Sequence, residues 1–374
     1  EASGDVLGGS LMQALRAQDG DVVFSGIGGE MMAAQGLKSL LPMDELCVMG
    51  LWEVLGELPR LIRLISAVVA EIEAFQPDVV VTVDLPDFNF RVAQRLKKRK
   101  ICKAKIVHYV APTVWAWRPG RAKKIARFLD GLMCLLPFEP PYFRAHKLRT
   151  EFVGHPMVES RLATADGQAF RAPHMIPADT PLLGLFFGSR VAELKNMGRI
   201  LADVASHFQE QYPNVQLVMP TLPHLQLPVM QLATEMGIPA YVVIDPAEKA
   251  EAFRACNVAV AVSGTVGLEL AYAGVPHVIA YKAHAATWLI LRALVKVKYA
   301  HLANILLDAP VVPEFLQGRC NAYDIARGVL RLFTLAEVRQ AQVTQMARVQ
   351  DLLAPAEGGS PSEKAARFVR GFLR

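Results

Sequence analysis

The sequence predicts an α/β protein of two doubly wound, Rossmann-like domains facing each other across a cleft. Three observations carry this. Short β-branched runs alternate with helical stretches along all 374 residues, the pattern of parallel sheets joined by right-handed crossovers. The length suits about two domains of about 150 residues each. The apolar runs also stop abruptly at polar or turn-forming residues, as strands buried on both faces do.

In chain order, the first element is a helix start, EASGDVLGGSLMQAL, with no strand ahead of it. An α/β domain usually begins with a strand, so a first, central strand is expected upstream of Glu1. Strands are expected at Val22–Ile27, Val79–Val83, Ile106–Val110 and Leu132–Leu136. A second set falls at Leu182–Phe187, Val215–Met219, Tyr241–Ile244, Val258–Val262 and His277–Tyr281. Leu51, Leu55, Leu58, Ile62, Ile65 and Val69 recur at helical spacing. Further helices are expected at Arg91–Lys98, Leu194–Gln211 and Leu225–Met236. Thr164–Thr180, with Asp166, Gly167, Pro173, Pro177 and Asp179, is the weakest stretch and marks a domain boundary. The expected division is therefore 1–163, 164–350 and a helical tail at 351–374, whose basic helix follows Pro355, Gly358, Gly359 and Pro361.

Composition bounds the function. Hydrophobic residues make up 52% and charged residues 20%, which excludes disorder. The net charge of +5 suits an anionic ligand or an anionic membrane surface, and is too weak and scattered to argue for nucleic acid. The five cysteines are widely spaced without a CxxC pair, as in a cytosolic protein with reduced thiols. No histidine spacing suggests a metal site, and no cofactor is expected. The longest apolar stretch, Val258 to Tyr281, contains Glu269, Pro276 and three glycines. It fits strand–helix–strand rather than a membrane span.

Several strand ends carry chemistry. Asp84 ends one β run, and Trp115, Trp117, Arg118 and Arg121 follow another. Ligands of an open α/β sheet sit at such carboxyl ends. In the second half, Gly188, Ser189 and Arg190 lie between a strand and a helix; the glycine permits a tight turn, the serine can cap, and the arginine can clamp a phosphate. A bland turn is the competing reading. Ser263, Gly264 and Thr265 start another helix, whose free N–H groups and dipole favour a pyrophosphate. Glu269 lies one turn in, interrupts an apolar segment, and ought to be paired. It can accept both hydroxyls of a ribose; the competing reading is that Ser263 and Thr265 only cap a helix, with Glu269 on its solvated side. Asn304 is an amide in the apolar context AHLANILL, open to a sugar, a phosphate or backbone. The apolar patch Met49, Leu51, Trp52, Leu55 and Leu58 is either a core helix or a surface for a bilayer or acyl chains.

Two such domains facing across a cleft form the arrangement called GT-B, which transferases, epimerases and phosphorylases share. The ordered strings EASGD, GIGGEMMAAQG, MGLWEVLGELPRL, DLPDFN, HYVAPTVWAWRPGR, LPFE, FVGHP, GSR, SGT and NILL through VPEFLQ resemble the lipid-A-disaccharide synthase family over nearly the whole chain. The resemblance implies an inverting, metal-independent transfer from UDP-2,3-diacylglucosamine to the 6-hydroxyl of 2,3-diacylglucosamine 1-phosphate (lipid X). It implies Asp84 as general base, with Asp87 the competitor, and roles for Arg190 and Asn304. Nucleotide binding maps to Gly188, Ser189, Ser263, Gly264, Thr265 and Glu269. Ser3, Trp115, Arg118 and Arg121 are assigned to the acceptor, with either arginine on its phosphate. The expected location is cytoplasmic, peripheral on the inner face of the membrane; the tail can cross to the other domain or to a second subunit of a homodimer. The chain departs from the family pattern at Phe187 and Ala303, where proline is usual. Another GT-B UDP-sugar enzyme, or a non-catalytic lipid-binding relative, is the alternative.

Overall fold

Val79–Val83 forms β1, the first of four parallel strands in the order β1-β2-β3-β4, with β2 at Lys105–Tyr109, β3 at Gly131–Cys134 and β4 at Arg149–Phe152. The computed structural model describes residues 2–43, 54–283, 288 and 297–373, and for 2 and 54–58 the backbone only. The chain divides into two compact units, Glu1–Glu159 with Leu353–Arg374, and Ser160–Leu352.

In the first unit, alternation along the strands feeds two cores. Val107, Tyr109 and Met133 pack with Leu7, Leu11 and Leu15 of the amino-terminal helix Ala2–Gln18 and with Phe368 and Val369 of the carboxy-terminal helix Pro361–Arg370. Val80, Ile106, Leu132 and Cys134 face the other way, onto Leu61, Ile65 and Val69 of helix Val54–Phe75 and Val92 and Leu96 of helix Pro86–Arg99. The tail thus supplies half of one helix layer of this unit. A capping box of Ser360 and Glu363 starts its helix.

The strand expected at Val22–Ile27 does not form a ladder; a single bridge, Gly26 to Ser39, stands there. The backbone just after it is organised by Asp5. That buried carboxylate accepts the N–H groups of Gly29 (2.7 Å), Met31 (2.8 Å) and Met32 (3.1 Å). The EASGD and GIGGE strings are therefore one device: an acid on one helix caps the next. Asp5→Ala is expected to strip three donors of a charged acceptor and to lower stability by on the order of 3 kcal/mol, read as the urea midpoint.

The second unit holds six parallel strands in the order β10-β9-β8-β5-β6-β7. They are β5 Leu182–Phe186, β6 Gln216–Pro220, β7 Ala240–Val243, β8 Val258–Val262, β9 His277–Tyr281 and β10 Glu314–Leu316. The order reverses between β5 and β8, so the topological switch point lies there. Residues 164–180, sparse in periodic hydrophobics, are nonetheless packed in this unit: Phe170 is buried, and buried Arg171 donates to the carbonyls of Pro177, Thr180 and Ala255. Three-residue β10 and four-residue β4 went unmarked in the sequence because neither is an apolar run.

Candidate functional site

Asp84 follows β1 directly. Its N–H donates to the Tyr109 carbonyl of β2 (2.9 Å). Its φ of +48° and that of Leu85, +43°, are both left-handed, a strained pair costing about 1–3 kcal/mol per residue. Asn89 holds the bend: its Nδ2 donates to the carbonyls of Val83 (3.0 Å) and Asp84 (2.7 Å). The backbone is thus fixed while the half-buried carboxylate of Asp84 has no hydrogen bond or ion pair among the described residues. Asp87 differs. Its side chain is 81% exposed and sits 3.4 Å from Arg121. A Cβ added to Gly4 would lie 4.0 Å from Cβ of Asp84, so the first turn of the amino-terminal helix, with Ser3 exposed, borders the carboxylate.

The tryptophan loop splits by burial. Val110 opens it at φ +84°, a costly conformation for a β-branched residue. Trp115, assigned to the acceptor from sequence, is buried and donates Nε1–H to Glu139 (3.1 Å). Glu139 also accepts the Leu136 N–H (3.1 Å), and burial raises its carboxyl to about 7. The HYVAPTVW and LPFE strings therefore lock to each other inside the unit. Trp117 and Arg118 remain on the surface, with the guanidinium 3.9 Å from the indole centroid. Arg121 lies over Phe90. Beneath the loop, buried His108 pairs with Thr82 (2.8 Å), and desolvation lowers its pKa to about 3.

The second unit's candidates flank its switch point. Gly188, Ser189 and Arg190 follow β5; Ser263, Gly264 and Thr265 follow β8. The two turns are not equivalent. Gly188 is left-handed at φ +89°, and a Cβ there would meet Glu193. The Glu193 carboxylate accepts the N–H of Ser189 (2.9 Å) and of Arg190 (3.2 Å), so this helix start already holds its own anion. At the other turn, helix Thr265–Tyr272 begins without a side-chain cap. Ser263 spends its hydroxyl on the Ala300 carbonyl (3.2 Å), and no side chain among the described residues caps this helix start, whose first-turn N–H groups, lacking intrahelical acceptors, suit phosphate.

Glu269 is paired, as its apolar setting requires. Lys249 meets both of its oxygens, at 3.0 and 2.9 Å. No spacing in the sequence joins these two residues, and the fold alone brings them together. Asn304 is fully buried. Its amide donates to the Val312 carbonyl (2.8 Å) and Glu314 (2.9 Å), and its oxygen accepts the Val312 N–H (2.8 Å). Its hydrogen bonds are spent within the fold. Met49, Leu51 and Trp52, and the side chains of Leu55 and Leu58, lie outside the described residues.

Structurally the chain is similar to a putative UDP-N-acetylglucosamine 2-epimerase from Listeria monocytogenes, with TM-score 0.66 and 14% identity over 99% of this chain and 92% of that one. MurG from Acinetobacter baumannii gives 0.54 and 13% over 98% and 96%. At such identities the likeness shows the fold alone: two Rossmann-like units of the GT-B kind. In sequence the chain is 46% identical to a lipid-A-disaccharide synthase of Rhodospirillum centenum, over all of this chain and 93% of the relative. The corresponding enzyme of Paramagnetospirillum magneticum is 41% identical over all of this chain and 96% of its own length. Residues 1–367 match the family described as lipid-A-disaccharide synthetase, and the chain belongs to that glycosyltransferase family.

Proposed function

We propose that this chain transfers diacylglucosamine from UDP to the 6-hydroxyl of 2,3-diacylglucosamine 1-phosphate, with inversion, and that Asp84 is the general base. The carrying observation is the Asp84 carboxylate: unpartnered among the described residues, at a strand's carboxyl end, on a strained bend that Asn89 holds. A base so placed is free to accept the hydroxyl proton as the oxygen attacks the anomeric carbon. The open helix start at Thr265 and the exposed guanidinium of Arg190 suit the charge that develops on the departing UDP. Glu269 suits the ribose once Lys249 yields one or both oxygens. Arg118 and Arg121 are the acceptor-phosphate candidates; Ser3, beside Asp84, is a candidate for a sugar hydroxyl. UDP release from UDP-diacylglucosamine, measured with and without lipid X, tests this reading. Release only with lipid X supports it. Release of UDP without any acceptor, or none in either case, rejects it.

Contact with an anionic membrane face is part of the same reading. From Phe88 to Leu129 there are thirteen Lys and Arg and no Asp or Glu. Helix Pro86–Arg99 and helix Gly120–Ile125 lie over one sheet face, with Arg91, Lys98, Lys123, Lys124 and Arg127 exposed. Each basic residue near an anionic bilayer is worth about 1 kcal/mol. Among the described residues no helix is long and apolar enough to cross a membrane. Vesicles containing phosphatidylglycerol should sediment the protein, and phosphatidylcholine vesicles or high salt should release it. Replacing Arg91, Lys98, Lys123 and Lys124 by Glu should abolish sedimentation; retained binding rejects this face.

A further inference from the structure

Asn304 does not stand alone under the 263–265 turn. It belongs to a hydrogen-bonded series that runs from β10 to the turn. The Glu314 carboxylate, at the start of β10, accepts from Asn304 (2.9 Å), the His301 N–H (3.0 Å) and the Ala300 N–H (2.9 Å). That carboxylate thereby fixes residues 300 and 301. These in turn meet the turn's helix at two points. The Ala300 carbonyl takes the Ser263 hydroxyl (3.2 Å). The ring of His301 lies against Gly267, where an added Cβ would stand 2.8 Å from Nε2.

The far side of His301 is fixed as well. His277 lies 2.7 Å from the Val275 carbonyl through Nδ1, so Nδ1 carries the proton and Nε2 is bare. His301 Nδ1 accepts the Ala303 N–H (2.8 Å), so its proton is on Nε2. The Nε2–Nε2 contact of 3.0 Å is then a donation from His301 to His277. Both rings are buried, and each has one tautomer that satisfies its neighbours.

We infer that Asn304, Glu314 and His301 are positioning residues that hold the Ser263–Gly264–Thr265 turn in its anion-accepting shape. None of them reaches the nucleotide; they act through Ala300, Ser263 and Gly267. The inference rests on the reading that this turn receives the phosphates of UDP. It gives the buried amide a part in nucleotide binding without direct contact. Sequence alone left that residue open between ligand and backbone.

The test is calorimetric binding of UDP and of uridine to the full chain and to Asn304→Ala, Glu314→Gln, His301→Asn and the Asn304→Ala/Glu314→Gln double variant. Asparagine at 301 still caps Ala303 but loses the contacts made by Nε2. Each single change is expected to raise the Kd for UDP about tenfold, leave uridine binding unchanged, and raise donor KM more than it lowers kcat. The double variant should be no weaker than its weaker parent, because both act through one series. Melting curves verify that each variant is folded, and three independent positions guard against loss of any one. Equal shifts for UDP and uridine, or no shift in the folded variants, overturn the brace. If Gly264→Val erases the preference for UDP over uridine while the brace variants keep it, the nucleotide reading stands and the brace falls. If the unaltered chain shows no such preference, both fall.

Discussion

Asp84→Asn is expected to lower kcat by about 10²–10⁴-fold, the usual worth of a general base, with UDP affinity unchanged. The substitution is nearly isosteric, and asparagine tolerates the left-handed backbone at this position better than most residues. Folding should survive, so the loss reports chemistry. The amide cannot take the proton that the attacking hydroxyl must lose. Asp87→Asn is the matched control: it removes only an exposed pairing with Arg121, of a kind worth about 0–1 kcal/mol, and should leave turnover close to that of the parent. Asn89→Ala should fall between the two, since it frees the carbonyls that fix the bend. Turnover of Asp84→Asn near the parental rate, measured as UDP formed per enzyme, would remove Asp84 from the mechanism.

Acidification should destabilise the protein well above the carboxylate range. His108 and His277 are buried neutral, with pKa values lowered by desolvation to about 3 and about 4, and His301 lies well below its ordinary value. Unfolding restores each to about 6.5. The unfolded chain therefore binds more protons than the native one throughout the interval between those values. The stabilisation is complete above about pH 6.5 and declines as pH falls toward 4. A shift of this size is worth roughly 3 kcal/mol for His277 alone. Glu139 acts in the opposite sense. Its carboxyl is raised to about 7, so its contribution is present below about pH 4.5 and is lost as pH rises through 7. His155, lowered by desolvation to about 4, adds to the histidine side, and one acid against four histidines leaves a net loss on acidification. Urea midpoints between pH 7.5 and 4.5 should fall steadily, and His277→Gln should flatten the slope. A midpoint independent of pH over that interval would contradict this account.

How much of this was legible in the sequence varies with the kind of interaction. Buried parallel strands announce themselves as apolar runs, so Val79–Val83, Val258–Val262 and His277–Tyr281 appear at the expected bounds. Val22–Ile27 carries the same composition without a partner strand among the described residues, and side-chain capping by Asp5 takes over its neighbourhood. Asp84 was visible because a polar residue ended a valine run. Asn89 stood in the same string, yet its task is to satisfy two carbonyls, which no periodicity records. The basic layer from Arg91 to Arg127 was obscured by averaging, since acidic residues elsewhere cancel most of it. Trp115 illustrates a different limit. A large amphipathic ring suits a sugar or a core equally, and the buried Glu139 that accepts its indole N–H lies 24 residues away. Lys249 and Glu269, 20 residues apart, meet only because adjacent crossovers do.

The first unit is discontinuous in sequence: its helix layer beside Leu7 and Leu11 is completed by Pro361–Arg370, translated only after the whole of Ser160–Leu352. Every residue of the Ser160–Leu352 unit is therefore translated before the first unit can be completed. A chain stalled or clipped before Leu353 therefore carries every residue of the Ser160–Leu352 unit together with an incompletely covered apolar sheet face, an aggregation-prone species of the sort that chaperones intercept.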